Sequence, residues 1–224
     1  AAAEQLGRPR PPWLEALPEH LKLSQVQSSG DALAIGWTDR PDQQRRELLE
    51  VNLSRDGGLL LLGASGSGRS TALQAGAMAA ITQFQGRVQI YGIDAGTALG
   101  ALQAFSQVGA IISVEDSERV LRLLRRFTSE LQTRSRPCVF GPGRSLDSGR
   151  SLDSGRSPHL LLIDGFGAFE ELYERINRGE AMELLLRIAR DGRSLGLHVL
   201  LAANRRADVP PRLAALLGCQ IFLR

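Results

Sequence analysis

The chain has 224 residues, ample for one α/β domain and short for two. Its 43% hydrophobic and 23% charged residues are those of an ordinary globular protein, and a formal charge of only +3 speaks against a broad nucleic-acid-binding face, though not against a local basic patch. No apolar run of about 18 residues is present, so no membrane-spanning helix is expected, and no basic-then-apolar leader is read. The chain remains compatible with being the soluble part of a larger, membrane-anchored protein. Residues 1–32 form a Pro-rich lead-in, "GRPRPPWLEALPEHL", whose prolines oppose regular structure and whose Trp13, Leu14 and Leu17 are expected to dock on the body. Two short extended segments follow, "ALAIGW" and "LLEVNL", separated by the turn-rich "TDRPDQQ".

Residues 33–224 read as one domain, regular from Leu59 onward. Apolar strands are expected at 59–62, 87–94, 109–114, 159–164, 197–203 and 219–223, with helices at about 70–84, 97–106, 116–134, 168–191 and 210–217. In "SERVLRLLRRFTSELQTR" the apolar positions 120, 123, 124, 127 and 131 share one face of a 3.6-residue period. Strands that are apolar throughout and alternate with helices imply a mostly parallel sheet covered on both faces. One stretch breaks the pattern. The tandem hexapeptide "GRSLDSGRSLDSGRS" (143–157) is Gly/Ser-rich and charge-balanced, and reads as a surface loop or an insertion. Cys138 and Cys219 lie outside any C-x-x-C or Cys/His cluster and are expected to be reduced and structural.

The chemistry is concentrated at "LLLLGASGSGRST". A strand that ends in glycines and feeds a helix points several backbone N–H groups and the positive end of the helix dipole at one spot, which suits phosphate oxygens. Gly63, Ala64, Ser65, Gly66, Ser67, Gly68, Arg69, Ser70 and Thr71 are the candidate nucleotide-binding residues. The pattern departs from G-x-x-x-x-G-K-[ST] at one position, where Arg69 replaces lysine. Lys22 is the only lysine of the chain, so no neighbouring lysine can stand in. Ser70 is placed to ligate Mg²⁺. The alternative reading is a Gly/Ser turn between strand and helix.

"HLLLIDGFGAFEE" supplies the second element, an apolar strand ending in Asp164, which would hold Mg²⁺ through water or would simply start a turn. The next residue is Gly165, which can polarise no water, and Glu170 and Glu171 stand a helical turn away. Asn204, after a core strand, is a candidate contact to the terminal phosphate or a polar turn-starter. Arg193, Arg205, Arg206 and Arg212 are candidates for reaching a phosphate on a neighbouring subunit, or surface arginines. His198, in an apolar run, reads as a core histidine.

Together "GASGSGRST", "VQIYGIDAG", "SERVLRLLRRFTSELQTR", "HLLLIDGF" and "LLRIARDGRSLGLHVLLAANRR" resemble the FtsK/SpoIIIE class of RecA-like P-loop motor ATPases, and within it the EccC/EssC ATPases of type VII secretion. The likeness runs over roughly residues 33–224, with "ALAIGWTDRPDQQRRELLEVNL" similar to the segment that opens each module of that family. It implies a RecA-like fold with a short N-terminal β lead-in, the loop strand lying next to the strand that ends at Asn204 and the Asp164 strand beyond. It also implies ATP and Mg²⁺ as ligands and a cytosolic module of an inner-membrane-anchored secretion motor. Its partners would be sister ATPase modules and small helical-hairpin substrates with C-terminal signals, with no nucleic acid and no membrane contact by this chain. Active members of the family carry lysine at the place of Arg69 and an acid at the place of Gly165. Arginine keeps the charge but brings a larger planar fork. Losing both pieces removes several kcal/mol of transition-state stabilisation, at roughly 3–4 kcal/mol per preorganised group, whereas the backbone cradle for ground-state binding remains. The expectation is a module that binds nucleotide with weak or absent hydrolysis and serves regulation or docking. An FtsK-like DNA translocase that tolerates Arg69, and a scaffold with an empty site, are the alternatives.

Overall fold

The computed structural model describes residues 14–18, 20–28, 32–136 and 157–223. Trp13, Cys138 and all of the hexapeptide repeat before Ser157 lie outside them. The first two strands, β1 (Ala32–Arg40) and β2 (Arg45–Asn52), form an antiparallel hairpin closed by a 3-10 turn at Pro41–Gln43 and by Gln44 in the left-handed region. A single helical turn, α1 (Leu53–Asp56), capped by Asn52, leads into the main body.

The apolar stretches become β3 (Gly58–Gly63), β4 (Gln89–Asp94), β5 (Val108–Ser113), β6 (His159–Asp164), β7 (Leu197–Ala203) and β8 (Cys219–Leu223). All pair in parallel, in the order β5-β4-β6-β7-β3-β8. The expected α/β class and the adjacency of the loop strand to the Asn204 strand, with the Asp164 strand beyond, both hold. Leucine favours helix intrinsically, by no more than a few tenths of a kcal/mol per residue over other apolar types. Leu59 to Leu62 are each 2% exposed or less, and burying a leucine is worth roughly 2 kcal/mol, so packing decides the strand.

Successive strand residues serve two cores, as the two-residue period of a strand requires. Leu59 and Leu61 face α2 (Arg69–Gln83), packing on Leu73, Ala77 and Ala80, with Leu33, Val51 and Leu53 of the hairpin region closing the outside. Thus α2 lies between sheet and hairpin. A Cβ on its Gly76 would come 3.2 Å from Leu200, which explains the small residue at that close approach. Leu60 and Leu62 face the opposite core with α3 (Ser117–Ser135), α4 (Phe166–Arg175), α5 (Glu180–Asp191) and α6 (Pro211–Ala214). Helix α3 starts at the Asp116 cap, and Val120, Leu123, Leu124, Phe127 and Leu131 are all buried, as the period requires.

Several elements differ from expectation. The segment expected as a helix at 97–106 is a 3-10 helix, Ala98–Ala104. The Asp94 carboxylate accepts the N–H groups of Gly96 (2.9 Å) and Leu99 (2.8 Å), which tightens the chain leaving β4. The long helix expected at 168–191 begins at Phe166 and is two helices, broken by a 3-10 turn and by Gly179 at φ +79°. Only 211–214 of the expected 210–217 is helical. Leu14 and Leu17 are not docked by burial, being 37% and 40% exposed; the lead-in is held instead through its backbone, where Arg46 donates to the carbonyls of Glu15 and Ala16.

Candidate functional site

Strand β3 delivers Gly63 to the carboxyl edge of the sheet, paired with Leu223 of β8. A Cβ at Gly63 would sit 2.4 Å from Ser67 Oγ and 2.8 Å from the Leu223 carbonyl oxygen, so no larger residue fits. Gly66 and Gly68 adopt φ +81° and +86°, in the left-handed region where other residues are strained, and a Cβ at either would meet nothing within 4 Å. The loop is therefore open around these two positions. Ser67 N–H donates to Ala64 O at 3.2 Å, and Ala72 N–H to Gly68 O at 2.8 Å starts the α2 ladder. Among the described residues, the N–H groups of Gly66, Gly68, Arg69, Ser70 and Thr71 donate to nothing. They gather at the positive end of a 15-residue helix. Ser67 Oγ and Arg69 Nη1 are likewise buried without a partner. A buried donor left unpaired costs about 1–3 kcal/mol, which a phosphate oxygen within reach would offset. The donor set therefore fits a bound phosphate chain.

The other candidates are ordered by strand register. Leu62 pairs with Ala203 and Asp164 with Ala202, so the loop, Asn204 and Asp164 leave the carboxyl ends of three adjacent strands at one level. Two strand spacings, about 10 Å, separate the Asp164 strand from the loop strand. Asp164 is 8% exposed and Asn204 is exposed. Gly165 stands at φ +75°, and a Cβ there would lie 2.6 Å from the Ala95 Cβ. The position lacks a carboxylate and also lacks the space and the backbone angle for one. Glu170 is half-buried on α4, its carboxyl pushed above the ordinary range by burial and by Glu174 and Asp208; Glu171 is exposed.

Arg193 lies at the amino end of β7, with Nε donating to Ser54 O at 2.8 Å, so within one chain it is at the opposite end of the sheet from the loop. Arg205 and Arg206 are exposed beside Asn204, where the Arg205 N–H donates to Asp208 and Arg206 to Val209 O, and Arg212 is exposed on α6. His198 is fully buried, with Nδ1 3.2 Å from Gly57 O, an acceptor that only an N–H at Nδ1 satisfies. Sequence reasoning missed the Ala95 wall against Gly165 and the Leu223 carbonyl against Gly63. Both depend on which strands become neighbours, and no local pattern signals that.

A parallel sheet carrying a glycine loop at one strand end and an acid two strands away defines a P-loop ATPase fold. The FtsK/SpoIIIE family model matches residues 24–140, and the chain belongs to that family. It is 31% identical over its whole length to the ESX-4 secretion system protein EccC4 of Mycobacterium tuberculosis, of which the match covers 18%. With the type VII secretion system protein EssC of Staphylococcus aureus it shares 25% identity over 87% of the chain and 14% of that protein. The chain thus spans less than a fifth of the length of these relatives. Among solved structures, the cytoplasmic domain of Thermomonospora curvata EccC superposes with a TM-score of 0.72 at 24% identity, over 86% of this chain and 23% of that one. EccC ATPases 2 and 3 of the same organism, in complex with a signal sequence peptide, give 0.69 at 23% identity, over 87% and 36%.

Proposed function

We propose that this chain is an ATP-binding module of a type VII secretion motor, one that holds nucleotide as a structural ligand with little or no turnover. The observation that carries the reading is a contrast within one site. The loop keeps its cradle of unengaged amides, with Ser67 Oγ and Arg69 Nη1 buried and unpartnered, while the Gly165 position is walled by Ala95 against any side chain. In this reading the amides of Gly66 and residues 68–71 hold the β- and γ-phosphates, and Arg69 adds charge in a fork rather than as a compact ammonium. Ser70 and Asp164 would hold Mg²⁺, which supplies charge neutralisation on the phosphates when bound. Asn204 would meet the terminal phosphate, and Gly165 offers no side chain to orient an attacking water.

The relatives are components of ESX and type VII secretion systems, and one EccC structure carries a signal sequence peptide. By that likeness the module sits at the cytosolic side of a membrane-anchored motor, touching sister modules and a substrate's C-terminal signal. No helix among the described residues is long and apolar enough to cross a membrane. Calorimetric titration with ATP and Mg²⁺ tests the ligand claim. Saturable binding that weakens at least tenfold in Ser70→Ala is expected, and equal behaviour of the two proteins would remove the loop from the account.

A further inference from the structure

A polar cavity of about 420 Å³ opens at the end of the sheet away from the glycine loop. It lies at the amino ends of β4 and β6, where Gln89 pairs with His159, and the foot of α3 covers it. Five residue steps of strand, roughly 17 Å, separate it from the phosphate loop.

Its charges are unequally matched. Arg134 is 9% exposed and spent: Nε donates to Glu130 (2.7 Å), Nη1 to Leu195 O (2.8 Å) and Nη2 to Ser157 O (3.1 Å), fastening α3 to the strand ends. Glu130 balances that charge and is held below the ordinary carboxylate range by it. Arg126, one helical turn before Glu130, also favours that carboxylate's charge but makes no close ion pair with it. Its guanidinium stands 5.0 Å from the Tyr91 ring centroid, and no described carboxylate pairs with it. His159 is 8% exposed, with its ring packed on Tyr91 and Phe127 and with no hydrogen-bond partner at either ring nitrogen among the described residues. Gln89 accepts from the Tyr91 hydroxyl at 3.2 Å, which leaves its amide N–H groups to donate. Fastening the helix explains Arg134 and Glu130. It leaves on one polar cavity an exposed guanidinium with no close ion pair and an imidazole whose nitrogens reach solvent without a hydrogen-bond partner among the described residues.

We propose that this cavity binds a small oxyanion, the phosphate or carboxylate group of a polar metabolite, between the Arg126 guanidinium, the His159 imidazole and the Gln89 amide. Burial first, then Arg134 and least Arg126, push His159 down to about 4, and Glu130 opposes them by more than Arg126 adds. An anion beside the ring favours the imidazolium, so ligand and proton bind together, each strengthening the other by linkage.

The chain has three histidines, His20, His159 and His198, so their ring signals resolve in a proton–carbon correlation spectrum. Inorganic phosphate and malonate are titrated separately at constant ionic strength and pH 6.5. A saturable shift of the His159 signal is expected with at least one of them, at least tenfold weaker in Arg126→Gln, while the buried His198 signal stays in place. Response to phosphate alone assigns a phosphate-bearing ligand, and response to malonate assigns a carboxylate-bearing one. Phosphate that binds only at the distant loop leaves His159 unmoved. An unmoved His159 with both probes, or an equal response in a folded Arg126→Gln protein, overturns the proposal.

Discussion

In the proposed function Gly165 and Arg69 carry the difference between binding and turnover, and each can be tested alone. At φ +75° and 2.6 Å from Ala95, an added Cβ at Gly165 meets both backbone strain and a wall. Gly179 has nearly the same angle, φ +79°, but nothing within 4 Å, so it isolates the strain. Gly179→Ala should cost about 1 kcal/mol and Gly165→Ala clearly more, within the usual range of about 1–3 kcal/mol for a strained position, as read by urea denaturation. Equal costs would mean that the Ala95 contact relaxes freely. Arg69→Lys restores the compact ammonium yet leaves nothing to orient water. It should keep ATP binding and release no phosphate above background, and rapid release would show that arginine alone silenced the site.

His198 makes a prediction about pH. Burial pushes its imidazole down to about 4 from an ordinary 6.5, so it is neutral in the fold, whereas the unfolded chain takes up a proton below 6.5. Between those values the unfolded state binds more protons, so stability is complete above pH 6.5 and falls as pH drops towards 4. At pH 5 His198 alone should cost on the order of 2 kcal/mol, at 1.36 kcal/mol per unit of separation. His159 acts in the same direction. Denaturation midpoints at pH 7 and pH 5 measure the loss, and a His198→Leu protein that retains the full slope would place it elsewhere.

At the scale of elements, what was legible in the sequence followed from periodicity and what was not followed from neighbours. The six apolar runs became the six parallel strands because each must bury both faces, and the 3.6-residue stripe of α3 is the face that is buried. The glycine loop was legible for the same reason: its residues lie next to one another in sequence, and so do the amides they align. The break at Gly179 was passed over because the apolar period of α4 and α5 runs through it, and a left-handed glycine at a helix start resembles one tolerated inside a helix. The 97–106 segment lost its α-helix to the Asp94 carboxylate, a competition between side chain and backbone that propensity does not register. The alignment of Asp164, Asn204 and the loop at one level required the strand order, which came through the family resemblance rather than from spacing. The wall behind Gly165 required a contact between β4 and β6 that nothing in the sequence announces.

The molecule as a whole has two polar ends joined by a dry parallel sheet. Its carboxyl end presents the glycine loop proposed to cradle phosphate beside a Gly165 position that holds no carboxylate, and its amino end presents the Arg126–His159 cavity. A motor module that binds nucleotide without consuming it converts ligand occupancy directly into stability and shape. Ligand at a hundredfold excess over its Kd adds about 2.7 kcal/mol. For a domain of this size that corresponds to a rise in Tm of roughly 5–10 °C. The most direct measurement is a thermal-shift titration with ATP and Mg²⁺, paired with phosphate release on the same sample. A saturable rise in Tm with no release is the predicted result. Brisk release, or no rise at saturating ATP, would contradict it.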